Sequence, residues 1–306
     1  MAWTRTPAFE AHRAAVRGRL ARVGVHEAGP SSASWKINRE IIVVAGWGRA
    51  ILLQFAHPLV AAGVSDHSSY RGGLLSSFRR LTSTVGAMLS LTFGGEEEAI
   101  AAAAGINCIH DRIQGTLASA AGVFPAGQRY SAHDPELLTW VHATLLESVP
   151  LTYELLVGPL TQEERERYCA EAAIIEPLLD IPEGSLPRTV AENDRYMRQM
   201  LGSGRIAITD TSRALARDLL FPPRAYLLWP AFRALRIITI GLLPPPIRAQ
   251  YGFAWRPRDA RAFSRWAALL RALHHAAPRL MREWPAARRQ FPHRLPASPA
   301  HPARRT

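Results

Sequence analysis

Apolar residues recur at spacings of three and four along almost the whole chain, and this helical period restricts the fold more than any other feature. No stretch alternates apolar and polar residues for long enough to build a sheet. Local chemistry marks the helix boundaries. Glu96, Glu97 and Glu98 open an alanine-rich helix, where acids complement the dipole, and the pattern predicts that it runs to about Gly122. Asp134-Pro135-Glu136 opens another, with an acidic cap and proline at the first position. Thr161 and Glu164 form a capping box. A helix over 37–55 is expected to stop before His57-Pro58, because the residue before proline is pushed out of the helical region. A Gly/Ser loop through Gly63, Asp66 and Gly73 follows, then a helix over 75–92 halted at Gly94-Gly95. Residues 124–133 read as a loop, and further helices are predicted at 188–201, 209–219, 223–240, 257–276 and 278–290. The fold class is therefore all-α. We expect a single large helical domain, an orthogonal bundle, over 35–290, with a basic segment 1–34 before it and a disordered Pro/Arg-rich tail over 291–306.

Of the 306 residues, 48% are hydrophobic and 20% charged, which suits a globular chain with a sizeable core. A domain this long buries roughly three quarters of its unfolded surface and has room for a large apolar ligand. The formal net charge of +12 is concentrated in arginines at the two ends. No nucleic-acid motif accompanies it, so it reads as a solvated surface or as a peripheral contact with anionic lipid. The stretch from Ala225 to Leu243, interrupted by Pro230, Arg233 and Arg236, is open to the same two readings, buried helix or membrane surface. Two cysteines, Cys108 and Cys169, make neither a disulfide framework nor a Cys-rich zinc site, and they are compatible with the cytoplasm. The start of the chain has no uninterrupted apolar run of roughly 7–15 residues, as a secretion signal requires.

Among the histidines, His12 and His26 look unremarkable, and His274, His275, His293 and His301 read as surface residues. His110 shares a predicted helix with Ile106, Ile109 and Ile113 at helical spacing. An imidazole there is costly unless its nitrogens find partners, either in a satisfied core or on a haem iron. His142 is comparable, and the small Ala143 beside it would admit a flat ring. His133, Asp134 and His142 form a weaker candidate iron triad, because Asp134 is committed to capping. Arg80 and Thr84 lie four apart on one helix face, where an arginine could pair with a carboxylate.

Several segments in order resemble one family. They are Asn38-Arg39-Glu40; Leu53-Gln54-Phe-Ala-His57-Pro58-Leu-Val60; Asp66-His67-Ser68; Arg80 with Thr84; Ile109-His110 with Ile113 and Gly115; Tyr130 through Pro135; Trp140-Val-His142-Ala143-Thr144-Leu145; and Leu243-Pro244 with Arg248 and Tyr251-Gly252. Together they resemble the MpaB-type oxygenases, which share a catalytic domain with the latex-clearing proteins. The resemblance implies an all-helical pocket around non-covalent haem b. In that family an arginine and a threonine four apart precede the axial histidine by about thirty residues, and the pattern falls here on Arg80, Thr84 and His110. It thus implies His110 as the iron ligand, Arg80 and Thr84 as haem-stabilising residues, and His67 or His142 as a second ligand or proton donor. His57 reads as structural, anchoring the turn at Pro58. The implied reaction is oxidation or cleavage of a carbon–carbon double bond in a lipophilic, isoprenoid-like substrate by O₂, with an electron donor if one is needed. A haem-binding sensor or carrier, and a haem-free protein of membrane surfaces, are the alternatives.

Overall fold

The computed structural model describes residues 3–23, 29–67, 85–221 and 229–288. The described residues are predominantly helical. The helices are α1 (Pro7–Val23), α2 (Ala33–Asn38), α3 (Ala45–Phe55), α4 (Pro58–His67), α5 (described over 85–93), α6 (Glu96–His110), α7 (Pro135–Leu156), α8 (Gln162–Glu171), α9 (Ile175–Leu179), α10 (Val190–Gly202), α11 (Asp210–Leu220), α12 (Trp229–Leu242), α13 (Pro245–Gln250), α14 (Pro257–Ala276), α15 (Arg279–Arg282) and α16 (Pro285–Arg288). The Asp134 carboxylate accepts a hydrogen bond from Glu136 N–H, and both reciprocal bonds of the Thr161/Glu164 box form.

Four boundaries differ from the sequence expectation. The helix expected over 37–55 is broken into α2, a 3-10 turn over Ile41–Val44, and α3. The chain bends 105° after α3, but it bends into α4 rather than into the expected loop, so His67 ends a helix. The proline at the first position of α4 supplies the start signal. The largest difference concerns α6, which stops at His110 instead of Gly122. Beyond it lies a hairpin of β1 (Gln114–Thr116) and β2 (Arg129–Ser131), with Gly115 opposite Tyr130. Gly122 and Gly127, at φ of 58° and 81°, hold the connection in a left-handed backbone that continues no helix. Finally, the segment expected as one helix over 278–290 is split into α15 and α16.

Helices α3 and α7 form the centre. Leu52, Leu53 and Ala56 of α3 pack on Trp140 and Ala143 of α7, with Met197, Leu220, Ile247 and Tyr251 closing the cluster from α10 to α13 and its flank. Arg49 of α3 is buried and joins the two layers. It donates to Ser148 Oγ at 2.6 Å, to the Glu147 carboxylate at 2.6 Å and to the Leu242 carbonyl at 2.8 Å. The basic helix α1 is packed into the bundle: Val16 and Leu20 meet Ile100 and Ala103 of α6. Among the described residues no single helix is long and apolar enough to cross a membrane, although the bent α3–α4 pair with its 3-10 lead passes on length and composition alone.

Candidate active site

A cavity of about 460 Å³ lies between α3, α4, α5, α6 and α7. Its size is in the range of sites that hold cofactors and drug-sized ligands, roughly 300–1,000 Å³. Ile51, Val64, Met88, Ile106, Leu138 and Leu145 are typical of its wall, and no lysine or arginine stands among the described lining residues. Four polar side chains interrupt the wall: Gln54, Tyr130, His110 and His142. Two of them are already committed. Gln54 donates its amide to the Val141 carbonyl and Thr144 Oγ1. Tyr130 donates its hydroxyl to Asp66 at 2.6 Å, and burial with this bond pushes the phenol pKa up.

The two histidines are different. Each retains a buried ring nitrogen, Nδ1 of His110 and Nε2 of His142, with no hydrogen-bond partner among the described residues. Both rings are held neutral, with pKa values lowered to about 4. For His110 the cause is burial, with the nearby His133 acting the same way and Asp111 opposing. For His142 it is burial, opposed by a hydrogen bond to the Ala172 backbone. His142 also lines a second cavity of about 120 Å³, which shares Trp47, Met88, Leu91, Leu145 and Ile175 with the larger one. The α6 terminus sets the position of His110, as the last residue of that helix rather than a mid-helix one.

The remaining expected residues fall elsewhere. Arg80 and Thr84 lie outside the described residues, as does the tail over 291–306. His67 is exposed, outside the cavity wall, with Nε2 3.0 Å from the Gln114 carbonyl. Ala143 faces the α3 core instead of the cavity. His133 meets Asp111, not His142, and Asp134 caps α7, so the three residues of the weaker triad are not brought together. His57 is buried at the α3–α4 turn, where its carbonyl accepts Ala61 N–H. His274, expected on the surface, is buried beside Glu40 at 3.3 Å; Glu40 in turn contacts Arg39, and burial raises its pKa. Trp3 is a cavity residue that no local pattern marked, and Tyr130, quoted only as the start of a family string, is another.

A predominantly helical bundle here encloses an apolar cavity whose wall holds two neutral imidazoles, each with a ring nitrogen unpartnered among the described residues. The chain matches, over residues 35–272, the family described as ER-bound oxygenase mpaB/B'/Rubber oxygenase, catalytic domain, and it belongs to that family. Curated relatives include an uncharacterized protein of Mycobacterium bovis and one of Mycobacterium tuberculosis, each 26% identical over 236 residues, which are 74% of this chain and 87% of the relative. No solved structure matches the chain.

Proposed function

We propose that this chain is a b-type haem-dependent oxygenase that oxidises or cleaves a carbon–carbon double bond of a lipophilic, isoprenoid-like small molecule with O₂. Membership of an oxygenase catalytic-domain family supports the reaction class. The observation that carries the cofactor is the pair of neutral imidazoles in one apolar cavity, each with a ring nitrogen unsatisfied among the described residues. A buried polar atom without a partner costs on the order of 1–3 kcal/mol, and an iron ion offers such a nitrogen a bond. The residues present therefore fit a haem.

In this reading His110 is the iron ligand. Its low pKa keeps the nitrogen lone pair free for a metal at neutral pH. Bound haem supplies the oxygen and one-electron chemistry that no side chain here carries. The aliphatic wall binds the alkene and keeps water from the reacting centre. Gln54 and Tyr130, tied to protein partners, add orientation without presenting idle donors. Among the described wall residues, His142 is a further imidazole that could hold a proton, at Nε2. Arg80 and Thr84 would pair with the haem carboxylates. The partners are O₂, the lipophilic substrate and, where the reaction requires it, an electron donor; the basic surface suits peripheral contact with an anionic membrane that holds such substrates, and no nucleic acid is involved.

The test is expression with haem supplementation of wild type beside His110→Ala. Wild type is expected to purify with a Soret band and the variant to lose most of it. A variant with full haem and an unchanged spectrum would move the ligand to another residue, His142 first. Wild type without any Soret band would end the proposal. One second reading has its own observation, since both histidines line the same cavity. If both ligate iron, the reduced protein is six-coordinate, low-spin and inert to CO, and it is a carrier or sensor.

A further inference from the structure

Outside the cavity wall, at the C-terminal end of α6, a second group of chemistry-bearing side chains converges from three parts of the chain. Cys108 and Asp111 stand three apart where α6 ends, so they share a face. His12 reaches them from α1, and its Nε2 is 2.8 Å from Asp111 Oδ2. One ligand atom each of His12, Cys108 and Asp111 lies within 4.8 Å of the other two. His133, from the loop after β2, holds the other carboxylate oxygen, with Nε2 2.8 Å from Asp111 Oδ1.

We propose that His12, Cys108 and Asp111 form a zinc-binding site with a fourth position for water. The donor set decides the metal. One imidazole nitrogen, one thiolate sulfur and one carboxylate oxygen suit a borderline cation, whereas calcium and magnesium take oxygen ligands. Three protein ligands leave one tetrahedral position open, and the half-exposed setting gives solvent access to it. Binding exchanges waters of the hydrated cation for three protein ligands, breaks the His12–Asp111 hydrogen bond with the imidazole proton kept on the non-ligating ring nitrogen, and releases the Cys108 thiol proton to solvent. His133 is a positioning residue, because its hydrogen bond orients the carboxylate from outside the ligand shell.

The alternative is a plain surface hydrogen bond between His12 and Asp111. A pair so exposed contributes at most about 1 kcal/mol and has no use for a sulfur atom beside it. The site would also clamp α1, from a distant part of the sequence, onto α6. The His133 ring then stands edge-on to His110, with centroids 5.7 Å apart, so the clamp borders the helix end that carries the cavity imidazole. The zinc proposal does not rest on haem binding.

The experiment uses the full chain, stripped with a chelator and titrated with Co²⁺ and then Zn²⁺. A thiolate-to-cobalt charge-transfer band with intense tetrahedral visible absorption is expected, and added Zn²⁺ should remove both. Cys108→Ser should abolish the charge-transfer band and weaken Zn²⁺ binding by at least about tenfold, the lower bound seen even for outer-shell losses. Cys169→Ala, at a buried cysteine elsewhere, should retain the band. Zn²⁺ should raise the melting temperature of wild type clearly more than that of Cys108→Ser at the same concentration, while circular dichroism shows both folded. No cobalt binding, octahedral cobalt without a sulfur band, or a band that survives Cys108→Ser would overturn the proposal. These readouts are independent of a Soret band, so failure of the haem reading and failure of the zinc reading are separate results.

Discussion

Three imidazoles, of buried His57 and of half-buried His110 and His142, have pKa values lowered to about 4 from an ordinary 6.5. Each is neutral in the folded chain and takes a proton readily only once unfolded. Folded protein then binds fewer protons than unfolded protein between about pH 6.5 and 4, so stability falls as pH drops through that window and levels off below it. His57 is the clearest case, because it is buried against Phe124 with a ring–ring distance of 5.1 Å and lies outside the cavity. Its share of the loss between pH 7.5 and 5 is about 2 kcal/mol, because burial lowers its pKa from 6.5 to about 4. His57→Asn, which cannot titrate, should flatten the pH dependence of urea unfolding by about that amount, whatever it does to stability at pH 7.5. An equal slope in wild type and variant would mean that His57 titrates normally. His274 shows how a residue's surroundings escape local inspection. It lies in an arginine-rich helix that reads as surface, yet the fold buries it against Glu40, more than two hundred residues earlier in the chain.

At the scale of elements, the sequence was most legible where local chemistry acts alone. The capping residues Asp134 and Thr161 each stand at an observed helix start, and Gly94-Gly95 at an observed stop. It was least legible where a tertiary contact outvotes periodicity. The alanine-rich pattern of α6 continues past His110, but Gly115 must lie against the Tyr130 ring, and only a chain reversal brings those residues together. A Cβ at Gly115 would sit 2.5 Å from Tyr130 Oη, so the pairing needs glycine there. Gly115→Ala should therefore displace the tyrosine, break its bond to Asp66 and move one polar residue of the cavity wall. The expected cost is about 1–3 kcal/mol, the usual range for overpacking, read as a lower denaturation midpoint. Tyr130→Phe on the Gly115→Ala background should recover part of it, since the clashing hydroxyl is gone. No recovery would place the strain in the backbone.

The cavity is a property of the whole molecule, assembled by residues as far apart as Trp3 and Ile181, so helical periodicity gave neither its size nor its full wall, although the family strings hold several of its lining residues. Keeping about 460 Å³ dry and unfilled would cost on the order of 10 kcal/mol at the rate measured for cavities cut into cores. That is as large as the net stability of an ordinary domain, so the space is filled in solution, by water or by an apolar ligand. Two neighbouring positions on α7 separate this space from true core. Val141 lines the cavity, while Ala143, two residues on, is fully buried against Leu52 and Leu53 on the opposite face. Val141→Phe adds a ring where there is room, and it should leave the unfolding midpoint of ligand-free protein within about 0.5 kcal/mol of wild type while reducing uptake of haem or an apolar fluorophore. Ala143→Phe adds a larger increment where there is none, and it should cost at least about 1–3 kcal/mol. Equal destabilisation by both would mean that α7 is packed alike on its two sides, and the wall of the proposed site would not exist.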